Sequence, residues 1–322
     1  MKGTKRRDFL KTAAAGAAGT FFGSGFSVAD EGSGGEEGFK LRYMLASSMY
    51  GDLPLAEVLP EVEKTGTDLI DLWPRKHGTQ RDEVEEMGHE AFWDLLEETG
   101  VRVGATTRYD LGPFALEDEC VFLINCSGGG VIVTGSKWPE KKLANPSGPE
   151  LKAAVRGFVD RLSDTIFHAE SINGVQIAIE NHGNSVISTP DSIRWLLEYC
   201  DSPHVGIALA PYHLEALGED AESMGALIEE IGDRLFVFYA WQYGKGCMEA
   251  QPKEDELLQM PGRGSLDFAP MLRALKKINY QWYTEIFMHP YPRGIPILPT
   301  AAETTAEINR SRAYLDGIVG KL

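Results

Sequence analysis

Cysteine is scarce in this chain and carries no pattern. The four cysteines among 322 residues (Cys120, Cys126, Cys200, Cys247) form no CxxC pair. Cys120 and Cys126 are the one near couple, and free buried thiols are the expected state. Positive charge is scarce as well. Thirty-one Lys and Arg face 48 Asp and Glu, for a formal net charge of −17. So acidic a chain argues against nucleic acid or an anionic membrane as a partner. Beyond the amino terminus no stretch is long and apolar enough to span a bilayer. A glycine-rich phosphate turn is missing too. Ser47-Ser48-Met49-Tyr50-Gly51 follows the first predicted strand, and no phosphate-loop lysine follows Gly128-Gly129-Gly130. Both facts argue against a nucleotide-binding, doubly wound sheet.

What is present starts with a leader. Lys2, Lys5, Arg6, Arg7 and Lys11 make the first residues basic, and Arg6-Arg7-Asp8-Phe9-Leu10-Lys11 resembles the twin-arginine export signal. A small, moderately apolar run follows over 12–28, and Ser27-Val28-Ala29 fits a signal-peptidase site. The expectation is a Tat signal peptide over 1–29, a disordered acidic linker over 30–38, and a folded, periplasmic domain over 39–322. Removing the leader takes away five positive charges and one negative, so the remainder is more acidic still. No cysteine follows the cleavage site directly, so no lipid anchor is expected.

From residue 39 short apolar runs alternate with longer amphipathic ones. The pattern predicts strands over 41–46, 68–73, 101–106, 130–134, 175–180, 205–210, 235–241 and 282–287. It predicts helices over 55–65, 81–99, 149–171, 189–200, 223–232, 268–278 and 301–319, while 111–127 shows only a short helical pattern. Thr189-Pro190-Asp191 puts proline at a first helical position, and Asp267 is a candidate N-cap. Eight strands alternating with helices are what a single (β/α)8 barrel requires.

In such a barrel the loops after the strands form the functional face. Two apolar runs end in a carboxylate, Ile177-Ala178-Ile179-Glu180 and Tyr283-Thr284-Glu285. A buried acid is costly unless it is paired, protonated or bound to a cation. The other strand ends offer Asp71 and Trp73, Arg108 and Tyr109, Asn181 and His182, His213, Tyr239 and Gln242, and His289. Trp73 and Trp241 suit stacking on a sugar face, and Arg263 between two glycines suits a reach to a substrate oxygen. His77, His89, His168 and His204 fall on predicted loops or helices and read as surface residues. No basic cluster accompanies the predicted mouth, so a phosphorylated sugar is not expected.

Five pieces in this order resemble a known family: Asp68-Leu69-Ile70-Asp71-Leu72-Trp73, Ile179-Glu180-Asn181-His182, Leu209-Ala210-Pro211-Tyr212-His213, Pro261-Gly262-Arg263-Gly264-Ser265-Leu266-Asp267-Phe268 and Tyr283-Thr284-Glu285. From about residue 41 to residue 318 the chain resembles the xylose isomerase-like TIM barrels, a group of sugar isomerases and epimerases. The resemblance implies a divalent metal held by a glutamate, an aspartate, a histidine and a glutamate of strands five to eight. It also implies two carboxylates that remove and return a proton beside a sugar carbonyl. It places the two glutamates on Glu180 and Glu285.

The aspartate falls on Ala210, and the histidine falls in the seventh strand, where Tyr239 stands and no histidine exists. The implied site is therefore a reduced one, Glu180, His213 and Glu285 around Mn, Mg, Co or Zn. His182, His213, Tyr239, Gln242, Trp73 and Arg263 would face the substrate. The implied activity is that of an exported isomerase or epimerase acting on a small carbohydrate. A keto-sugar lyase or hydratase, and a sugar-binding barrel that has lost its metal, are the alternatives. The endonuclease branch of the family fits poorly, because the charge is wrong and histidine ligands are too few.

Overall fold

Eight apolar runs become the eight strands of a closed parallel barrel. The structure is a computed structural model that describes residues 38–138, 141–144 and 146–322. The predicted leader, and the linker up to residue 37, lie outside the described residues. The strands are β1 (Arg42–Ala46), β2 (Leu69–Leu72), β3 (Arg102–Thr107), β4 (Gly130–Gly135), β5 (Val175–Glu180), β6 (Val205–Leu209), β7 (Leu235–Ala240) and β8 (Tyr283–Ile286). Each pairs with the next, and β8 closes on β1 with Met44 beside Glu285. A barrel covers both faces of its sheet, so its strands need not alternate apolar with polar. Every residue of β2, β6, β7 and β8 is buried. The polar residues inside those strands (Asp71, Tyr239, Thr284 and Glu285) therefore stand out.

Two predicted helices are each split in two. The run predicted over 81–99 is Gln80–Met87 and His89–Thr99, separated by Gly88 at φ 81° and ψ 155°, an extended geometry outside the helical region. The run predicted over 149–171 is Gly148–Arg161 and Ser163–Ile172. Here Leu162 N bonds Val159 O at 2.9 Å, a tight three-residue turn that interrupts the four-residue ladder. The weak stretch contains a real helix, Glu117–Ser127, with three acids in its first turn facing the positive end of the helix dipole.

One of the two expected caps is present. Thr189 and Ser192 form a capping box ahead of Pro190–Tyr199. The N-cap of Ala269–Lys277 is Phe268 rather than Asp267, whose Oδ1 accepts from Ala269 N at 2.9 Å from one residue further out. That helix buries Met271, Leu272 and Leu275, each worth about 1.5–3 kcal/mol against exposure. All four cysteines are buried and free. Among the described residues no helix is long and apolar enough to cross a membrane.

Candidate active site

A cavity of about 420 Å³ opens at the carboxyl-terminal ends of the strands. Its wall is built by loops from six of them: Pro74 to His77 after β2, Tyr109 to Gly112 after β3, Gly135 to Lys137 after β4, Glu180 to Ser185 at β5, Trp241 after β7 and His289 after β8. This is the end of a parallel barrel where side chains from distant segments converge. Ser136 Oγ accepts from Ile187 N at 2.8 Å and Trp138 Nε1 donates to Asn184 O at 3.2 Å, so the loops after β4 and β5 are tied together.

Of the two strand-end glutamates, Glu180 is the one that reaches the wall. It is 4% exposed, and burial alone pushes its carboxyl up to about 8. The nearest titratable partner is His213, with Nε2 3.7 Å from Glu180 Oε1. Burial and the nearby His182 and Arg293 hold His213 neutral, so the two do not form an ion pair. Arg108, just after β3, is engaged elsewhere. It pairs with Glu119 and with Asp110.

Three imidazoles, His77, His182 and His289, lie on the same wall, and a fourth, His213, adjoins Glu180. His182 and His213 stack with ring centroids 4.2 Å apart, and His77 and His289 lie 4.7 Å apart. Burial and the positive field of Arg293 lower all four, His77 to about 4. All are therefore neutral at pH 7. His182 Nδ1 lies 2.6 Å from the Gly183 carbonyl, which assigns the proton to Nδ1 and leaves Nε2 an acceptor. His77 Nδ1 and His213 Nε2 are buried with no partner in the protein.

Glu285 sits one layer deeper. It is fully buried and absent from the cavity wall. Asp71 is its neighbour: burial first, then the charge and hydrogen bonding of Asp71, push the Glu285 carboxyl far up. Burial raises Asp71 itself to about 7, partly offset by the Thr107 hydroxyl at 2.6 Å. The Tyr239 hydroxyl lies in the same cluster with no hydrogen-bond partner, and burial and the acids hold it protonated.

Side chains two residues further along the same strands pack together. Trp73 stacks on Phe287 at 5.2 Å, and Trp241 meets Phe287 edge-on at 5.1 Å. Phe287 also packs on Tyr239 at 5.3 Å. The charge of Glu180, on the wall, nonetheless reaches both Glu285 and Tyr239.

The expected metal set does not fit. Among the described residues no group of three or more His, Cys, Asp or Glu is placed to hold a metal ion. Glu180 and His213 adjoin each other, but Glu285 is fully buried off the wall, with neither carboxyl oxygen hydrogen-bonded. Ala210 offers no donor side chain, and its backbone is clamped by Asn181, whose Oδ1 accepts from Ala210 N at 2.7 Å while Nδ2 donates to Ala210 O at 3.1 Å. At the strand-seven position stands a phenol held protonated.

Three expected substrate contacts are used inside the protein. Trp73 is 2% exposed in the aromatic layer, and only Trp241 of that pair faces the cavity. Gln242 donates to Met260 O at 2.6 Å and accepts from Leu266 N at 2.9 Å, so its amide pins the 257–266 loop. Arg263 forms a two-pronged ion pair with Glu307 at 2.6 Å on each prong, away from the cavity wall. Gly262, at φ 78°, is needed because a Cβ there would lie 2.7 Å from the Tyr314 ring. Tyr239 is in the acid cluster, not on the wall. His182 is on the wall.

His77, read from the sequence as a surface residue, is on the wall too. Its place in the loop after β2 was the available signal, since every such loop faces the mouth. The wall is also more basic than expected, with Arg75, Lys76 and Lys137 on it.

Comparison with known proteins follows this geometry. The sequence profile described as "Xylose isomerase-like TIM barrel" matches residues 59–310. An inosose isomerase of Bacillus subtilis (strain 168) is 26% identical over 141 residues, 42% of this chain and 49% of that protein. The match thus spans about half the length of that curated relative. Among solved structures, the IolI protein with a bound zinc atom superposes with a TM-score of 0.64 at 19% identity, covering 87% of this chain and 99% of that one. The 3-keto-D-glucoside 4-epimerase YcjR of E. coli gives 0.61 at 18% identity, covering 86% and 100%. At these identities the structural likeness establishes the fold.

Proposed function

The chain belongs to the xylose isomerase-like TIM barrel family, and within it we propose an exported carbohydrate isomerase that moves a proton between adjacent carbons of a keto sugar. One observation carries the reading. Glu180 lies on the cavity wall with its carboxyl raised to about 8, among imidazoles that are neutral at pH 7. A base poised near the working pH serves proton transfer in both directions.

The ionised Glu180 carboxylate takes the proton from the carbon beside the carbonyl. The C–H electron pair forms the new C=C bond, and the carbonyl π pair moves onto oxygen to give an enediolate. A neutral imidazole is a suitable donor to that oxygen, because its N–H stabilises the growing charge without giving its proton away. His77, whose ring lies on the cavity wall, is the residue assigned to this role. The free Nε2 of His182 accepts from the neighbouring hydroxyl. Glu180 then returns the proton to the adjacent carbon as the hydroxyl proton passes between the two oxygens.

A single base supports this shift on one face of the sugar better than inversion at one carbon. Inversion needs a second proton carrier on the opposite face. Burial raises the other carboxyl on the wall, Asp110, but Arg108 outweighs it and lowers the group, through hydrogen bonds at 3.0 and 2.8 Å. Glu285, the expected second base, is fully buried and off the wall.

Incubating the protein with keto-hexoses and cyclitol ketones and following them by NMR tests the proposal. The expected result is positional isomerisation that survives exhaustive dialysis against a chelator. Activity that is lost on chelation and restored by Mn²⁺, Co²⁺ or Zn²⁺ would place a metal in the step and contradict the donor-set argument. Export rests on the Arg6-Arg7 and Ser27-Val28-Ala29 signals, and predicts a secreted chain whose measured mass begins at Asp30.

A further inference from the structure

The cavity wall is cationic in a strongly acidic protein. Of its two carboxyls, Glu180 is held protonated near neutrality and Asp110 is neutralised by Arg108. Of its three cations, Arg75 is matched by Asp82 at 3.6 Å and Glu86 at 3.2 Å. Lys76 and Lys137 remain, and no carboxylate among the described residues pairs with either. Lys137 crosses the wall beside Gly112, where even a Cβ would lie 2.2 Å from its Nζ.

Arg293 is a further cation, off the wall. It is half-buried, and its guanidinium donates to Pro290 O at 2.9 Å, Cys247 O at 3.2 Å and Cys247 Sγ at 3.1 Å, with no carboxylate partner among the described residues. Its charge reaches all four imidazoles. A fixed, partly desolvated cation without a counter-charge is costly to the empty protein, and an anion restores the balance. The net charge of −17 makes the local excess of cations the more telling. Steering and holding an anionic ligand is what such a focused patch does.

We propose that Lys76 and Lys137, aided by the field of Arg293, bind a compact anion carried by the sugar, a carboxylate or a phosphate at the end away from the carbonyl. This deepens the isomerase reading by naming a substrate class, and it shares with that reading only the assumption that a sugar enters this cavity. It also revises the expectation that no basic cluster accompanies the mouth.

Calorimetric titration with glucose, glucuronate and glucose 6-phosphate tests it, since the three share a ring and differ at one terminal carbon. The expected result is affinity about tenfold or more above that of glucose for one of the anions, which the arms identify as carboxylate or phosphate. Raising the salt concentration should shrink that ratio. So should the double substitution Lys76→Ala, Lys137→Ala, made at exposed positions. Equal affinity for all three, binding by none of them, or a ratio unmoved by the double substitution overturns the proposal. The turnover assay is separate. Anion-selective binding without turnover ends the isomerase reading and keeps the anion site, and turnover with no anion preference does the reverse.

Discussion

Replacing Glu180 by glutamine is expected to lower kcat/KM about 10²- to 10⁴-fold, the range a lost acid–base group ordinarily costs. The substitution keeps the shape of the side chain and removes only the proton-carrying oxygen, so the barrel should stay folded. The pH dependence gives a second signature. The folded carboxyl is raised from 4.5 to about 8 by burial, so the folded state holds a proton that the unfolded chain releases. As base, Glu180 must be ionised. The kcat/KM of the wild-type protein should therefore rise with pH and level off above about pH 8.

The stability effect has the opposite direction. The contribution of this group is fully present below the unfolded value near 4.5 and is lost as pH rises through about 8. The glutamine variant lacks that loss, and should gain relative stability on the alkaline side. Steady-state kinetics and thermal melts across pH read both effects. A rate loss under about tenfold, or an unchanged pH profile in the variant, would take Glu180 out of the chemistry.

The second large effect concerns stability. Arg81 and Glu119 are both almost fully buried, and they meet as a fork with Nε to Oε1 at 2.9 Å and Nη2 to Oε2 at 2.8 Å. Arg108, from the loop that carries Asp110, joins the same carboxylate. The Arg81 guanidinium also lies 4.0 Å from the centroid of Phe122. Glu119→Gln removes the charge that two guanidinium groups share, and leaves Arg81 with only its link to the exposed Glu85 at 2.7 Å.

Breaking a buried pair in this way costs about 3–5 kcal/mol. For a domain of this size that lowers Tm by roughly 10 °C, measurable by circular dichroism. Replacing both partners with leucine should recover much of the loss, because no uncompensated charge is then left inside. A melting point unmoved in Glu119→Gln would show that water or another acid already serves Arg81.

The fold was legible because barrel strands announce themselves locally. Apolar runs such as 235–240 and 205–209 need no distant partner to be recognised, and the cap at Thr189 acts within three residues. The helix breaks at Gly88 and Leu162 were less visible. A single backbone geometry decides each of them, and side-chain periodicity continues across it. Within the site, Glu180 was legible as a charge ending an apolar strand. Glu285 carried the same signal, yet its environment depends on Asp71, from another strand. No local pattern reports that those two acids meet.

Gln242 and Arg263 were misplaced for a related reason. Each looks free in the sequence, and each is claimed by a partner that only the fold brings near, Met260 and Leu266 for one and Glu307 for the other. His77 shows the converse. A histidine on an unremarkable loop became a cavity residue because the loop after β2 turns over the mouth beside His289. The lysines at 76 and 137 are an ordinary surface pair in sequence, and a charged wall in space.

Solvent deuterium incorporation tests the central claim most directly. The wild-type protein is incubated in D₂O with a keto sugar that it binds, and the recovered sugar is examined by NMR. The account predicts deuterium on the carbons flanking the carbonyl, with or without metal chelation, and its loss in Glu180→Gln. Sugar that binds at the Trp241 wall and returns without deuterium would contradict it, and would leave a binding barrel in place of an isomerase.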